Sequence, residues 1–416
     1  MLGIRISGLL FRLDRRCQRC HLPVPFRQGL PQFVYQRLCG LQIPAGLGGV
    51  RSGRAALLGI LVALVLLAGC AGASPSSRGS TDRSAQLATA VAVMDDGYRL
   101  PLRRWGEARE ARGVVLALHG FNEYAGTFAP LGTYLAARGF LVYACDQRGF
   151  GATAGRGHWA GEDRMMADLR AVAALLHQRH PRLPLYLLGE SMGGAVVMAA
   201  GTTTDVAGVV LIAPAVWSRD TMPAVQRLAL AIAASTVPWL EVTGKGIRRP
   251  PTDNRPMLRA LAADPQVIKA TRIKALWGVT NLMDRARAAA PHLPRPALVL
   301  YGEHDRIVPR KAFCATLDDL PASAPDLRLV LYARGWHMLT RDLQGERALA
   351  DIAAWLANPA APLPSGEETA CGSQRLRGFC AVTGDANAGR PNLVGARAPE
   401  PLRSRASPLP AVVEGF

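Results

Sequence analysis

Leu185-Tyr186-Leu187-Leu188-Gly189-Glu190-Ser191-Met192-Gly193-Gly194-Ala195-Val196-Val197-Met198 decides how this chain is read. An apolar, strand-like run (185–188) enters a Gly-x-Ser-x-Gly turn, and small and apolar residues of helical character (194–200) leave it. Strand, sharp turn and helix form the context in which a serine is presented as a nucleophile. The turn is so tight that the residues two before and two after the serine must be small, as Gly189 and Gly193 are. The Ser191 hydroxyl is then expected at the C-terminal edge of a sheet, beside the amide end of a helix. Such a placement implies nucleophilic catalysis by a serine.

Working outward, continuous apolar runs recur at Gly113–Leu118, Phe140–Cys145, Ala207–Ile212, Ala297–Tyr301 and Leu327–Tyr332. Runs of this length without polar alternation read as buried parallel strands. Helical patterns lie between them. The clearest is Asp163–His180, with Met166, Leu169, Val172, Leu175 and Leu176 on one face, Glu162 and Asp163 opening it and Pro181 following it. Alternation of this kind implies an α/β fold, a mostly parallel sheet with helices on both faces. Ala90–Arg104 is expected to add an antiparallel hairpin ahead of the first parallel strand. Between Ile212 and Ala297 about eighty residues show no clear strand, far more than an ordinary connection. That interval is expected to be a helical cap insertion over residues 215–292, with helices at Met222–Ala234, Arg255–Ala262 and Val267–Met283.

A serine needs a base, and the base needs an orienting acid. In this fold class they follow the serine in the order acid, then histidine, on loops after successive strands. Asp305 follows Ala297–Tyr301 in Gly302-Glu303-His304-Asp305, and His337 follows Leu327–Tyr332 in Arg334-Gly335-Trp336-His337. His337 is the one histidine after Asp305. Glu303 competes as the acid, but it lies closer to the strand end, which favours Asp305. Two backbone amides are needed for the oxyanion, one from Met192 after the serine and one from the His119-Gly120-Phe121 loop, for which Phe121 is the choice. The loop Asp146-Gln147-Arg148-Gly149-Phe150-Gly151 reads as structural. His158, His177, His180 and His304 have no spacing suited to a metal, and neither a metal nor a cofactor is expected.

His119-Gly120-Phe121-Asn122-Glu123, Asp146-Gln147-Arg148-Gly149-Phe150-Gly151, Gly189-Glu190-Ser191-Met192-Gly193-Gly194, Gly302-Glu303-His304-Asp305 and Gly335-Trp336-His337 together resemble the monoacylglycerol lipase and lysophospholipase branch of the α/β-hydrolases. That group is also filed under a serine-aminopeptidase-like family name. The resemblance spans roughly Ala90–Leu356, including Asp264-Pro265-Gln266-Val267-Ile268 and Leu276-Trp277-Gly278 of the cap. It implies Ser191, Asp305 and His337 as the catalytic triad and Phe121 and Met192 as oxyanion donors. Gln147 departs from the pattern, since a histidine or similar residue often stands there.

The net charge of +18 at first suggests a nucleic-acid partner. Its distribution does not: residues 1–69, 70–358 and 359–416 carry +8, +9 and +1, and the central basic residues are scattered with no aromatic track. Nucleic acid is therefore not an expected partner. Ala55–Gly69 is an unbroken apolar run behind Arg51 and Arg54, the length of a signal core and short for a membrane span. It closes on Leu67-Ala68-Gly69-Cys70, which resembles the lipobox of bacterial lipoproteins. That resemblance implies lipidation at Cys70, and Ala71 after it resembles outer-membrane sorting. The expected organisation is an upstream extension (1–49) with translation starting near Val50, a lipoprotein-type signal (50–70), a flexible tether (71–88), the hydrolase domain (89–358) and a disordered tail (359–416). Cys17-Gln18-Arg19-Cys20-His21 matches a haem-attachment pattern but precedes the export signal. Cys371 and Cys380 could pair in an oxidising compartment, whereas Cys145 and Cys314 sit in apolar patterns that suit core packing.

These readings converge on a carboxylester hydrolase that cleaves monoacylglycerol- or lysophospholipid-like esters through an acyl-enzyme on Ser191. It is expected on the cell envelope, held in the outer membrane through Cys70. A serine aminopeptidase-like peptidase and a small-ester esterase are the alternatives. The apolar 222–234 run offers nothing to hold an α-amine. A binding protein on a retired hydrolase fold is opposed by the intact triad order.

Overall fold

The computed structural model describes residues 84–201, 206–244, 249–320 and 326–381. The readings placed on the upstream extension, the signal, Cys70 and most of the tether lie outside these residues, as does the tail beyond 381. The strands are β1 (Gln86–Leu87), β2 (Val91–Val93), β3 (Arg99–Trp105), β4 (Gly113–Leu118), β5 (Phe140–Cys145), β6 (Leu185–Glu190), β7 (Val206–Ile212), β8 (Glu241–Thr243), β9 (Ala270–Arg272), β10 (Ala297–Gly302) and β11 (Leu327–Tyr332). The α-helices are α1 (Ala129–Ala136), α2 (Glu162–Arg179), α3 (Met192–Ala200), α4 (Ala224–Thr236), α5 (Arg255–Ala263), α6 (Ile273–Ala288), α7 (Arg310–Asp318), α8 (Gly345–Ala357) and α9 (Gln374–Ala381).

Nine strands form one sheet in the order β1-β2-β3-β5-β4-β6-β7-β10-β11. From β5 to β11 every neighbouring pair is parallel, and the expected hairpin supplies the antiparallel edge. Every residue of β4, β5, β6 and β10 is buried. Their alternate side chains feed two separate cores, as the two-residue period of a strand requires. Val114, Leu116 and Leu118 join α2, α3 and α6 on one face. Val115 and Ala117 join α1 and α8 on the other, where Trp355 is fully buried. The result is the α/β fold expected from the alternating pattern, in the α/β-hydrolase form that the resemblance implied.

The insertion between β7 and β10 holds α4, α5 and α6, as expected, together with the two-stranded β8–β9 ribbon that was not. Strands of three residues are too short to show a period. α6 starts at Ile273, later than the expected Val267, because Ala270–Arg272 is extended against β8. α6 joins the core through Val279, Leu282 and Ala286, whereas α4 buries none of its residues.

The tail needs correction. It is not disordered from residue 359: the chain keeps described structure to Ala381. Thr369 N–H donates to Leu329 O at 2.8 Å, Glu368 bridges Val330 of β11, and Leu363, Leu376 and Phe379 are buried. Few apolar residues anchor this strap, so composition understates its order. Cys380 pairs with Cys314 of α7, not with Cys371, which is free and exposed. The pairing follows from α9 packing on α7, with the Tyr301, Phe313 and Phe379 rings between them.

Candidate active site

Ser191 joins β6 to α3 at φ 51° and ψ −114°, a conformation that side-chain-bearing residues rarely adopt. Strain of this kind costs on the order of 1–3 kcal/mol and persists only where its surroundings enforce it. Here they do. Ser191 N–H donates to Ile212 O at 2.9 Å, and Ser191 O accepts from Ala195 and Ala215 N–H. A Cβ on Gly189 would lie 2.5 Å from Gly193 O, and one on Gly193 would lie 2.0 Å from Leu118 O. The two glycines are therefore steric necessities of the turn. Ser191 itself is only partly buried, so its hydroxyl is reachable.

The loops after β10 and β11 bring Asp305 and His337 together. Asp305 Oδ2 lies 2.8 Å from His337 Nδ1, while its Oδ1 accepts from Ile307 and Val308 N–H at 2.7 and 3.0 Å. The carboxylate is thus fixed from both sides, and Nε2 is left as the free ring nitrogen of His337. Burial pulls the His337 pKa down. The adjacent Asp305 charge and hydrogen bond, with Glu190 and Glu123 beyond, outweigh it and hold the pKa above the ordinary histidine value. Glu303, the competing acid, instead pairs with Arg375 at 3.2 Å. His304 is exposed and stacks on Trp336.

The loop after β4 lies against the elbow. A Cβ on Gly120 would sit 3.5 Å from Ser191 Cβ. Among the described residues the amides of Phe121 and Met192 donate to no protein acceptor, so both are free to serve an oxyanion. His119 is not a second base. Its Nε2 accepts from Gln147 N–H at 3.0 Å, its Nδ1 faces Gly120 O at 2.8 Å, and burial pushes its pKa down. Gln147 also donates through Nε2 to His119 O at 2.8 Å, which ties the 146–151 loop beneath the β4 loop. Arg148 is held by Asp168 and Asp96, a structural role.

The cap reaches the loops that carry Phe121 and His337. Asn122 O accepts from Ile268 N–H at 2.9 Å, and Tyr124 OH donates to Asp264 at 2.7 Å. On the other side Met338 N–H donates to Pro251 O at 3.0 Å. The Phe121 ring packs near Phe150 and Trp159, and the Trp159 indole lies against Gly278 of α6. An apolar wall therefore joins the β4 loop to the cap.

Sequence reasoning missed three buried charges beside this site: Glu123, Glu190 and Arg341, linked in one ion cluster. One signal was available. Glu190 ends an apolar strand, and a buried carboxylate needs a partner. Nothing in the Thr340-Arg341-Asp342 context pointed to that partner.

A nucleophile-type elbow, an Asp–His pair and two free amides on this fold define a serine ester hydrolase of the α/β-hydrolase class. Residues 109–344, more than half of the chain, match the serine aminopeptidase (S33) family, and the chain belongs to that family. It is 30% identical over 272 residues to the monoacylglycerol lipase of Mycolicibacterium smegmatis, covering 63% of this chain and 94% of that one. It is 27% identical over 257 residues to the monoglyceride lipase of Homo sapiens, covering 60% and 84%. The solved structure of Paleococcus ferrophilus monoacylglycerol lipase superposes with a TM-score of 0.53 at 25% identity, covering 62% of this chain and 98% of that one. The chain is accordingly a hydrolase of the lipase and esterase type.

Proposed function

We propose that this chain cleaves the ester of single-chain acyl lipids, monoacylglycerols or lysophospholipids, through an acyl-enzyme on Ser191. The observation that carries the reading is the Asp305–His337 pair at 2.8 Å on the same sheet edge as the strained Ser191. Ser191 Oγ attacks the ester carbonyl carbon while its proton passes to His337 Nε2. The carbonyl electron pair moves to oxygen, and the oxyanion is held by the Phe121 and Met192 amides. Collapse breaks the ester C–O bond, and His337 returns the proton to the departing alcohol. Water repeats the sequence on the acyl-enzyme and releases the fatty acid. Asp305 keeps the Nδ1 proton in place and stabilises the imidazolium.

The cap supports an acyl substrate. α4 buries none of its residues, and Val225, Leu228 and Ile232 on one of its faces are 81%, 62% and 54% exposed. Each methylene removed from water contributes about 0.8 kcal/mol, so several carbons outweigh one polar head-group contact. An aminopeptidase would need a carboxylate for the α-amine, but α4 carries none, and Asp220 and Asp284 are paired with Arg287 and Arg219. We also place the chain on the cell envelope through a lipidated Cys70. The Leu67–Cys70 stretch and the Cys314–Cys380 disulfide, which suits an oxidising compartment, support this. Mass spectrometry of the mature N-terminus tests it; a stable terminus before Cys70 on membrane-bound protein would overturn it.

The substrate test is a p-nitrophenyl ester series. kcat/KM should climb from acetate to medium chains, and Leu228→Asp on the exposed face of α4 should flatten the climb while acetate turnover survives. A steady preference for acetate would favour a small-ester esterase instead. Ser191→Ala should lose turnover and fluorophosphonate labelling together.

A further inference from the structure

Two loops and the end of β6 meet on one buried guanidinium. Arg341 follows His337 by four residues, in the 3₁₀ turn Leu339–Arg341. Its Nη1 donates to Glu123 Oε1 at 2.8 Å and its Nη2 to Glu123 Oε2 at 3.0 Å. The same Nη2 donates to Glu190 Oε1 at 2.6 Å. The three side chains are 5%, 7% and 2% exposed. Glu190 directly precedes Ser191, and Glu123 stands two residues after Phe121. Glu123 Oε2 also lies 3.5 Å from where a Cβ on Gly120 would stand, the same point that lies 3.5 Å from Ser191 Cβ. The cluster is therefore immediately beneath the junction of nucleophile and oxyanion loop.

A planar guanidinium that binds one carboxylate with both arms fixes orientation as well as distance, which an ammonium does not. Burial removes the water that could otherwise relax the geometry. We propose that Arg341, with Glu123 and Glu190, is a positioning unit that holds the nucleophile turn, the oxyanion loop and the histidine loop in catalytic register. This rests on the reading of Ser191, Asp305 and His337 as the triad. Two carboxylates against one guanidinium also leave one negative charge near His337, which favours the imidazolium formed during acyl transfer. The charged groups around His337 are Asp305 from the β10 loop, Glu190 from β6, Glu123 from the β4 loop, and Arg341 with Asp342 on its own loop.

Glu190→Gln tests the unit with the least disturbance, because Arg341 keeps its two-armed contact with Glu123. On p-nitrophenyl butyrate, kcat should fall on the order of tenfold from lost register. KM should change by less than about twofold, since ground-state binding is untouched. The acidic limb of kcat/KM should move to lower pH, a readout that a purely structural role would leave in place. Arg341→Lys, which keeps the charge and loses the fork, should lower kcat further. Circular dichroism and thermal unfolding report whether each variant is folded, and Glu190→Gln keeps the test open if Arg341→Lys does not fold. Wild-type kcat and an unmoved acidic limb in folded Glu190→Gln would overturn the proposal, as would a loss of thermal stability alone. Ser191→Ala runs in parallel: if it stays active the triad reading itself fails, whereas an inactive Ser191→Ala beside a wild-type-like Glu190→Gln refutes the positioning unit alone.

Discussion

Adding a single methyl group at Gly193 should disable the enzyme without touching a polar catalytic atom. A Cβ there would stand 2.0 Å from Leu118 O, 2.5 Å from Leu118 C and 2.9 Å from Leu118 Cβ. Two of these obstacles are backbone at the end of β4, so no side chain can rotate away. Bringing the closest contact out to a barely tolerable 3.0 Å requires α3 and β4 to separate by about 1 Å, a displacement that can cost about 10²-fold in rate when it reaches the reacting groups. It does reach them, because Leu118 leads directly into His119-Gly120-Phe121 and Gly193 follows Met192. The Phe121 and Met192 amides would be driven apart. Overpacking at a buried site also costs about 1–3 kcal/mol. For Gly193→Ala we therefore expect kcat/KM on p-nitrophenyl butyrate to drop about 10²-fold and Tm to fall by several degrees. Gly378→Ala is the control: nothing lies within 4 Å of its Cβ, and it sits within helix α9. It should leave activity unchanged and gain up to about 1 kcal/mol of helix stability. A Gly193→Ala protein with wild-type turnover and Tm would refute the steric account of the elbow.

Two further expectations concern the acid and the strap. His337 must be neutral to accept a proton, so activity should rise with pH through its pKa, which lies above the ordinary histidine value. Asp305→Asn removes the largest contribution raising that pKa, so the acidic limb should shift down in pH, while kcat falls by about 10⁴-fold because the imidazole tautomer is no longer held. An unmoved limb with high residual activity would point to another acid. The Cys314–Cys380 bond closes a loop across a sequence separation of 66, for which chain entropy predicts about 4 kcal/mol of stabilisation. Cys314→Ser with Cys380→Ser, or reduction by dithiothreitol, should lower Tm, whereas Cys371→Ser should not. Equal Tm values with and without the bond would contradict its structural role.

How much of the site could be read from the chain depended on how local each constraint was. Gly189, Ser191 and Gly193 obey a steric rule that operates within five residues, so the elbow is visible without any fold. Asp305 and His337 could be singled out because each follows an apolar run, and the parallel sheet delivers such positions to one edge. The core alternation was legible for the same reason: strands buried on both faces must be largely apolar, as β4, β5 and β10 are and as β6 is up to its terminal Glu190. By itself, then, the sequence determined the sheet, the cap insertion and the three residues at its edge.

Only the tertiary structure decided what those elements touch. Arg341 reaches partners 218 and 151 residues away, and no local pattern predicts which arginine enters a core to neutralise Glu123 and Glu190. The partner of Cys380 depended on α9 packing against α7, a contact that the sparse apolar content of residues 359–381 did not advertise. α4 shows the limit most plainly. Its apolar composition suited a core helix and a lipid-facing one equally, because hydrophobicity states a preference to leave water and not the surface that will receive it. The packing of α6 on α3 took the available core surface and left Val225, Leu228 and Ile232 of α4 exposed.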